Sequence, residues 1–156
     1  GTHIRPLLHA LKYQGHKEIG YWMGRLLAQE WMAAQSDCTR FDYIVPVPLH
    51  RDRQRQRGYN QAEWIAQGLR SVWGTPIDTT SLYRTQATES QTHKDRAERW
   101  RNVCAVFKVA EDSPLAGKRI LLVDDTCTTG ATLVGCANAL HALPDTRVSF
   151  LALAST

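Results

Sequence analysis

The sequence predicts an α/β fold in which a mostly parallel central sheet of about five strands is flanked by helices. Short apolar runs, typical of buried strands, alternate along the chain with segments in which apolar residues recur every three or four positions. This alternation favours parallel strands joined by right-handed helical crossovers. A length of 156 residues and a hydrophobic content of 43% suit one domain with a buried core.

The predicted elements follow one another in a regular order. Two amphipathic helices at residues 4–14 and 18–34 come first, and a linker at residues 35–40 separates them from the sheet. A third helix begins at Ala62 and ends at Gly74, and a fourth follows the last acidic turn. The predicted strands occupy residues 41–45, 77–83, 104–109, 120–123 and 147–153.

Charge and cysteine content bound the class of protein. The net charge of +4 and the isoelectric point near 9.0 suit an anionic ligand or nucleic acid. The four cysteines form no Cys-x-x-Cys pair and no evident cluster with histidine, which is typical of a reduced cytosolic protein. The sequence contains neither an apolar run of membrane-spanning length nor a charged-then-apolar leader, so a cytoplasmic protein without a membrane partner is expected.

The stretch that carries most chemical information is residues 120–132, Ile-Leu-Leu-Val-Asp-Asp-Thr-Cys-Thr-Thr-Gly-Ala-Thr. A predicted buried strand ends in two carboxylates, and a loop of hydroxyls leads into a helix. Ligands of open parallel sheets bind beyond the carboxyl ends of the strands, and the first amides of a helix favour a phosphate. The carboxylates would repel a phosphate, so they point to sugar hydroxyls or a metal on the same ligand. A phosphorylated sugar satisfies both halves of the stretch.

A second strand, loop and helix unit carries an arginine-rich loop at residues 49–61. Arginines occupy alternate positions and precede Gly58, which lets an anion approach the backbone. This loop therefore points to an anion, and Arg57 is the arginine that directly precedes the glycine. The other three arginines, at positions 51, 53 and 55, fit a solvated charged loop equally well.

The longest polar segment, residues 84–102, lies between two predicted strands. A polar segment of this length inside a compact domain is usually a functional lid or disordered. A lid that excludes water would protect a reactive intermediate. A plain solvated run of charges is the alternative for this segment.

Residues 120–132 resemble the ribose-phosphate-binding signature of type I phosphoribosyltransferases, in which four aliphatic residues and two acids precede two variable positions and Thr-Thr-Gly-x-Thr. Thr126 departs from this signature, because the family usually has an aliphatic residue there. The run Val-Pro-Val-Pro-Leu-His at residues 45–50, followed by Arg-Gly-Tyr-Asn-Gln at 57–61, is similar to the ComF-like, competence-associated branch. By this resemblance, residues 1–40 form a helical hood, and residues 41–156 form the core with a flexible loop at about 84–102.

The resemblance implies a role for each matching position. Asp124 and Asp125 would be the catalytic acids that accept hydrogen bonds from ribose hydroxyls. Two loops would bind the substrate. The loop that would hold the 5-phosphate contains Thr126, Thr128, Thr129, Gly130, Ala131 and Thr132. The loop that would hold the diphosphate contains Arg57, Gly58, Tyr59 and Asn60. In the flexible loop the candidates are Gln91, Lys94 and Arg99. Mg²⁺ is the expected cofactor, carried mainly by the ligand and waters rather than by an all-protein metal site.

The implied activity is transfer of a phosphoribosyl group from 5-phosphoribosyl-1-pyrophosphate to a nitrogen nucleophile, with release of pyrophosphate. The alternative is a non-catalytic protein of the ComF-like branch that binds this compound or a nucleotide, or that assists DNA uptake and use. The expected partners are phosphoribosyl pyrophosphate or a nucleotide, with nucleic acid and a second copy of the chain as further candidates. Base choice resides in the hood of this family, so the sequence leaves the accepting base or amine open.

Overall fold

The fold was analysed in a computed structural model that describes residues 4–34, 41–85 and 106–155. Helices and strands alternate through most of these residues, as the sequence predicts. In chain order the elements are α1 Ile4–Tyr13, α2 Lys17–Ala34, β1 Tyr43–Pro46, α3 Arg51–Arg57, α4 Gln61–Trp73, β2 Leu82–Arg84, β3 Phe107–Val109, β4 Arg119–Cys127, α5 Ala131–His141 and β5 Arg147–Ser155. None of these helices is both long enough and apolar enough to cross a membrane.

A parallel sheet with the strand order β1-β4-β5 forms the centre of the described residues. Alternate residues of β4 face opposite sides of the sheet. Ile120 and Leu122 pack in one core with α5, whereas Leu121 and Val123 pack in a second core with α4. Because helices cover both faces, the strand is apolar throughout its buried part, and the α/β fold with a parallel sheet is confirmed.

The strand count in one sheet differs from the prediction. The central sheet has three strands among the described residues, and β2 and β3 form a separate antiparallel pair. Of the predicted strand 77–83, only Ile77 makes a parallel bridge, to Ile44. The side chain of Asp78 then accepts hydrogen bonds from the amides of Thr80 at 2.9 Å and Ser81 at 2.7 Å. This turn ends the pairing before β2 begins, because an aspartate side chain competes with the sheet for backbone donors.

The arginine-rich segment predicted as a loop is helical over α3. His50 precedes the helix, and its Nδ1 accepts a hydrogen bond from the amide of Asp52 at 3.3 Å. Gly58 ends the helix with a φ of 76°, and its amide donates to the carbonyl of Gln54 at 2.8 Å. Glycine suits this left-handed position because it lacks a Cβ. The loop prediction was wrong here because both capping signals lie inside a run of charged residues without apolar periodicity.

Candidate functional site

A cavity of about 250 Å³ opens where β1 and β4 end. It is lined by residues from helices α1, α3, α4 and α5, from strands β2 and β4, and from the segments that follow β1 and β4. The predicted site residues among its lining are Arg57, Asn60, Asp124, Asp125, Thr126, Thr128 and Thr132. The sequence therefore predicts much of the lining, and the fold brings together two loops that are about 65 residues apart in the chain.

The two acids of β4 lie in different surroundings although they are adjacent. Asp125 is 8% exposed, and its Oδ2 is a buried oxygen without a hydrogen bond from the described residues. Asp124 accepts a hydrogen bond from the amide of Asp125 at 2.8 Å. Burial and the neighbouring charge of Asp125 raise the pKa of Asp124 to about 7. The pair therefore consists of one carboxylate with a buried oxygen and one carboxyl whose pKa is close to neutral pH.

Lys12 is a site residue that the sequence analysis missed. Its Nζ reaches from the end of α1 to within 3.3 Å of Asp125 Oδ2 and donates a hydrogen bond to Thr126 Oγ1 at 2.9 Å. The hydroxyl of Thr126 stands where the resembling family has an aliphatic residue, so the departure in the signature coincides with this contact. That departure was the one signal in the sequence that could have pointed to a polar partner.

The hydroxyl loop lies at the N-terminus of α5. Gly130 adopts a φ of 76° at the start of this helix, and a substituent at Cβ would disfavour that conformation. Thr128 and Thr129 are exposed, and Thr129 Oγ1 accepts a hydrogen bond from the amide of Ala131 at 3.4 Å. Thr129, Gly130 and Ala131 line a small cavity of about 30 Å³ that shares Asp124 with the main one. Hydroxyls and the positive end of the helix dipole together suit a phosphate.

The helical form of α3 selects two of its four arginines for the site. Arg53 and Arg57 are four positions apart, lie on one face of the helix and line the cavity. Arg55 is exposed and lies on another face. Had the segment been extended, alternate arginines would have shared one side.

Arg84 is a second residue that the sequence analysis missed, because it was taken as the first residue of the flexible loop. It is instead the last residue of β2, where its guanidinium carbon lies 5.5 Å from the ring centroid of Phe107. It lines the main cavity, and burial followed by the nearby charge of Arg53 lowers its pKa. No sequence signal distinguished it from the charged residues that follow.

Three of the four residues predicted to hold the diphosphate also have structural roles. The amide of Gly58 is used in the cap of α3, and the hydroxyl of Tyr59 donates to the carbonyl of Leu11. Asn60 Nδ2 donates to the carbonyl of Val47 at 3.0 Å, and its Oδ1 accepts from the amide of Ala62 at 3.0 Å. These bonds connect α1, β1, α3 and α4. A direct contact of these three residues with the diphosphate stays a prediction.

The flexible-loop candidates Gln91, Lys94 and Arg99 lie outside the described residues. Within the described part of the chain, no group of three or more histidine, cysteine, aspartate or glutamate side chains could hold a metal ion. The main cavity is lined by four cations, Lys12, Arg53, Arg57 and Arg84, and by the two aspartates. Its cations outnumber its carboxylates, so it suits a ligand that is anionic as a whole and also carries hydroxyls.

Two curated relatives cover most of the chain. The DNA utilization protein YhgH of Salmonella typhimurium is 36% identical over 136 residues, which are 86% of this chain and 59% of that protein. Competence protein F of Haemophilus influenzae is 32% identical over 155 residues, which are 92% of this chain and 65% of that protein. The chain therefore spans about three fifths of the length of these relatives. No family model matches the chain.

Two solved structures with a similar fold are enzymes named for phosphoribosyl compounds. Glutamine phosphoribosylpyrophosphate amidotransferase of B. subtilis superposes with a TM-score of 0.57 at 19% identity, over 86% of this chain and 26% of that chain. An adenine phosphoribosyltransferase superposes with a TM-score of 0.55 at 14% identity, over 96% of this chain and 75% of that chain. At these identities the similarity shows the fold alone.

Proposed function

This chain belongs to the ComF-like family of proteins with the type I phosphoribosyltransferase fold, and from that premise we propose that it binds 5-phosphoribosyl-1-pyrophosphate and transfers the phosphoribosyl group to a nitrogen nucleophile. The observation that carries the proposal is the lining of a single cavity. Acids for ribose hydroxyls, the threonine loop for the 5-phosphate and the paired arginines of α3 for the diphosphate all line it. A sugar with phosphates at both ends matches this set of groups.

The distribution of charge in the cavity supports the chemistry. Departure of pyrophosphate leaves positive charge on the ribose ring and places the electron pair of the broken carbon–oxygen bond on the leaving group. Asp124 and Asp125 would stabilise the ring, and Arg53 and Arg57 would stabilise the departing pyrophosphate. The lone pair of the acceptor nitrogen then forms the bond to carbon 1, and its proton passes to water.

Magnesium fits the residues of the site, although no dedicated metal-binding group exists among the described residues. The buried Oδ2 of Asp125, which lacks a hydrogen bond there, and the neighbouring carboxyl of Asp124 are oxygen donors of the kind that Mg²⁺ accepts beside water and phosphate. When bound, the ion would neutralise charge on the diphosphate.

Replacement of Asp125 by asparagine tests the binding of phosphoribosyl pyrophosphate. We expect Asp125→Asn to weaken binding at least about tenfold, because a charged hydrogen bond to the ribose is worth about 1.5–3 kcal/mol. Titration calorimetry with Mg²⁺ and phosphoribosyl pyrophosphate measures the affinity, and circular dichroism checks the fold. Asp112→Asn, which changes an exposed aspartate that does not line the cavity, is the matched control and should bind as the wild type does. Equal affinity of the wild type and Asp125→Asn would refute the assignment of the acids.

An assay for pyrophosphate release distinguishes transfer of the phosphoribosyl group from binding alone. A panel of nitrogen bases and amines, each mixed with phosphoribosyl pyrophosphate and Mg²⁺, should include an acceptor that causes pyrophosphate release by the wild type but not by Asp125→Asn. Tight binding without release across a broad panel would refute the transferase and support a non-catalytic binder.

Nucleic-acid binding is a second candidate function, supported by the printed names of the relatives and by the net charge of +4. The exposed Arg55 of α3 is available for a phosphate backbone. Binding through phosphates should fall steeply as salt rises, because each neutralised phosphate releases counterions. Fluorescence anisotropy with labelled single-stranded and double-stranded DNA at low and at physiological salt measures this, and no binding at low salt eliminates this candidate.

A further inference from the structure

A second and larger cavity adjoins the main one between α1 and α3. Its volume is about 420 Å³, and it shares Lys12, Tyr13, Arg53 and Arg57 with the main cavity. Gln56 lines this second cavity and not the first. A molecule in the second cavity would therefore lie next to a ligand held by the acids and the threonine loop.

The charge of the second cavity is of one sign. Three cations line it, and no carboxylate does. Lys12 has Asp125 as a partner in the main cavity, whereas no carboxylate of the described residues forms an ion pair with Arg53 or Arg57. Two arginines one helical turn apart repel each other, so α3 loses stability unless an anion lies between them. This arrangement favours an anion in the second cavity as well as the diphosphate in the first.

The second cavity also presents flat groups. The guanidinium carbon of Arg57 lies 5.3 Å from the ring centroid of Tyr13. Tyr59 also lines the cavity, and its hydroxyl donates a hydrogen bond to the carbonyl of Leu11. Guanidinium groups and aromatic rings both bind planar molecules by stacking.

We propose that the second cavity binds the acceptor of the phosphoribosyl group and that this acceptor is a planar nitrogen compound that carries a negative charge, such as a heteroaromatic carboxylate. The proposal rests on the proposed transferase function. In the transfer, the bond from carbon 1 to the pyrophosphate oxygen breaks, and its electron pair leaves with pyrophosphate. A ring nitrogen of the acceptor donates its lone pair to carbon 1 and gives up its proton, if it carries one, to water.

A neutral acceptor fits the cavity less well for an electrostatic reason. Lys12, Arg53 and Arg57 make the second cavity cationic, and a neutral acceptor gains no attraction from that charge. A carboxylate instead accepts charge-assisted hydrogen bonds from the guanidinium forks.

Matched pairs of probes test whether the acceptor carries a negative charge. Nicotinate and nicotinamide form one pair, and orotate and uracil form another; the members of each pair differ in whether they carry a carboxylate. With phosphoribosyl pyrophosphate and Mg²⁺ present, the carboxylate of at least one pair should bind about tenfold more tightly than its neutral counterpart and release pyrophosphate faster. Titration calorimetry and the pyrophosphate assay measure the two effects. Tighter binding of the neutral members, or no binding of either carboxylate, overturns the inference. Calorimetry with phosphoribosyl pyrophosphate alone tests the proposed binding of that compound separately.

A charge placed only in the second cavity provides a sharper test. Gln56 is exposed on α3 and lines the second cavity alone, so Gln56→Glu should weaken binding of the carboxylate probe about tenfold and leave the affinity for phosphoribosyl pyrophosphate within about twofold. Gln54→Glu makes the same change on the same helix at a residue that lines neither cavity, and it should behave as the wild type does. Equal effects of the two substitutions on the carboxylate probe would overturn the inference, as would no effect of Gln56→Glu.

Discussion

Asp124 and Asp125 have the same side chain, but the two carboxyls lie in different electrostatic surroundings. Asp125 faces the ammonium group of Lys12 at 3.3 Å, whereas the charge with the largest effect on the pKa of Asp124 is that of Asp125. Burial and this like charge disfavour the ionised form of Asp124. A bound sugar would relieve this cost, because its hydroxyls donate to the carboxylate.

The raised pKa of Asp124 makes the stability of the free protein depend on pH. The pKa rises from 3.8 to about 7 on folding, so the folded state holds this proton more tightly than the unfolded state does. The stabilising effect is complete below about pH 4 and disappears as pH rises to about 7. Relative to Asp124→Asn, the wild type should therefore lose at most about 4 kcal/mol of unfolding free energy over this range. Urea unfolding of both proteins at a series of pH values measures this loss.

The control for the pH experiment is Asp112→Asn, which removes an exposed aspartate. Its unfolding free energy should follow that of the wild type at each pH. Parallel curves for the wild type and Asp124→Asn would show that Asp124 does not hold a proton in the folded protein near neutral pH.

At the scale of elements, α3 decides which arginines can act on a ligand. The caps at His50 and Gly58 fix a helix of seven residues, and its period turns Arg53 and Arg57 towards both cavities. The contacts of Asn60 with Val47 and Ala62 then hold α3 and α4 at the end of β1. A short capped helix therefore replaces the arginine-rich loop that the sequence predicted at residues 49–61.

Single substitutions on α3 distinguish a helix from an extended loop. Arg53→Gln and Arg57→Gln should each weaken binding of phosphoribosyl pyrophosphate about tenfold to a hundredfold, because each removes charge-assisted bonds worth about 1.5–3 kcal/mol. Arg55→Gln should change the affinity less than about twofold, because this residue is exposed and lines neither cavity. Titration calorimetry of the three variants gives the comparison. A loss at Arg55 equal to that at Arg53 would contradict the helical assignment of roles.

At the scale of the whole molecule, α2 packs closely on α4. A Cβ added at Gly68 would lie 2.0 Å from the carbonyl oxygen of Tyr21, and one added at Gly24 would lie 2.2 Å from that of Ile65. The two backbones therefore approach at positions where no side chain fits. This contact, together with the bond from Tyr59 to α1, sets the position of α1 and hence of Lys12 over the acids.

Alanine at the close contact should destabilise the protein. We expect Gly24→Ala and Gly68→Ala each to lower the unfolding free energy by about 3 kcal/mol, since the backbones must separate. Gly20→Ala is the graded comparison, because the nearest atom to its added Cβ is a side-chain carbon of Trp64 at 3.1 Å. There the gain in helix propensity, about 1 kcal/mol, should offset most of the cost. Urea unfolding measures all three, and a similar small effect at Gly68 and Gly20 would argue against the close packing of α2 on α4.

The sequence by itself determined the parts of the site whose residues are neighbours in the chain. The apolar run 120–123 and the threonine loop predict β4 and the start of α5, because strand and helix signals are local. The predicted acidic turn was wrong, because β4 continues through the two acids to Cys127. The same holds for the α/β class, which follows from the alternation of such signals. Arg57 was predicted from the resemblance of residues 57–61 to the ComF-like branch, and it lines the cavity.

Only the tertiary structure decided the rest of the lining. Lys12 and Thr126 are 114 positions apart, and their hydrogen bond depends on the packing of α1 and α2 on the core. Arg84 lines the cavity because β2 pairs with β3, and the central sheet stops at three described strands because Asp78 binds nearby amides. Each of these outcomes depends on contacts between distant segments or on competition for backbone donors. The local periodicity of the sequence predicts neither of these.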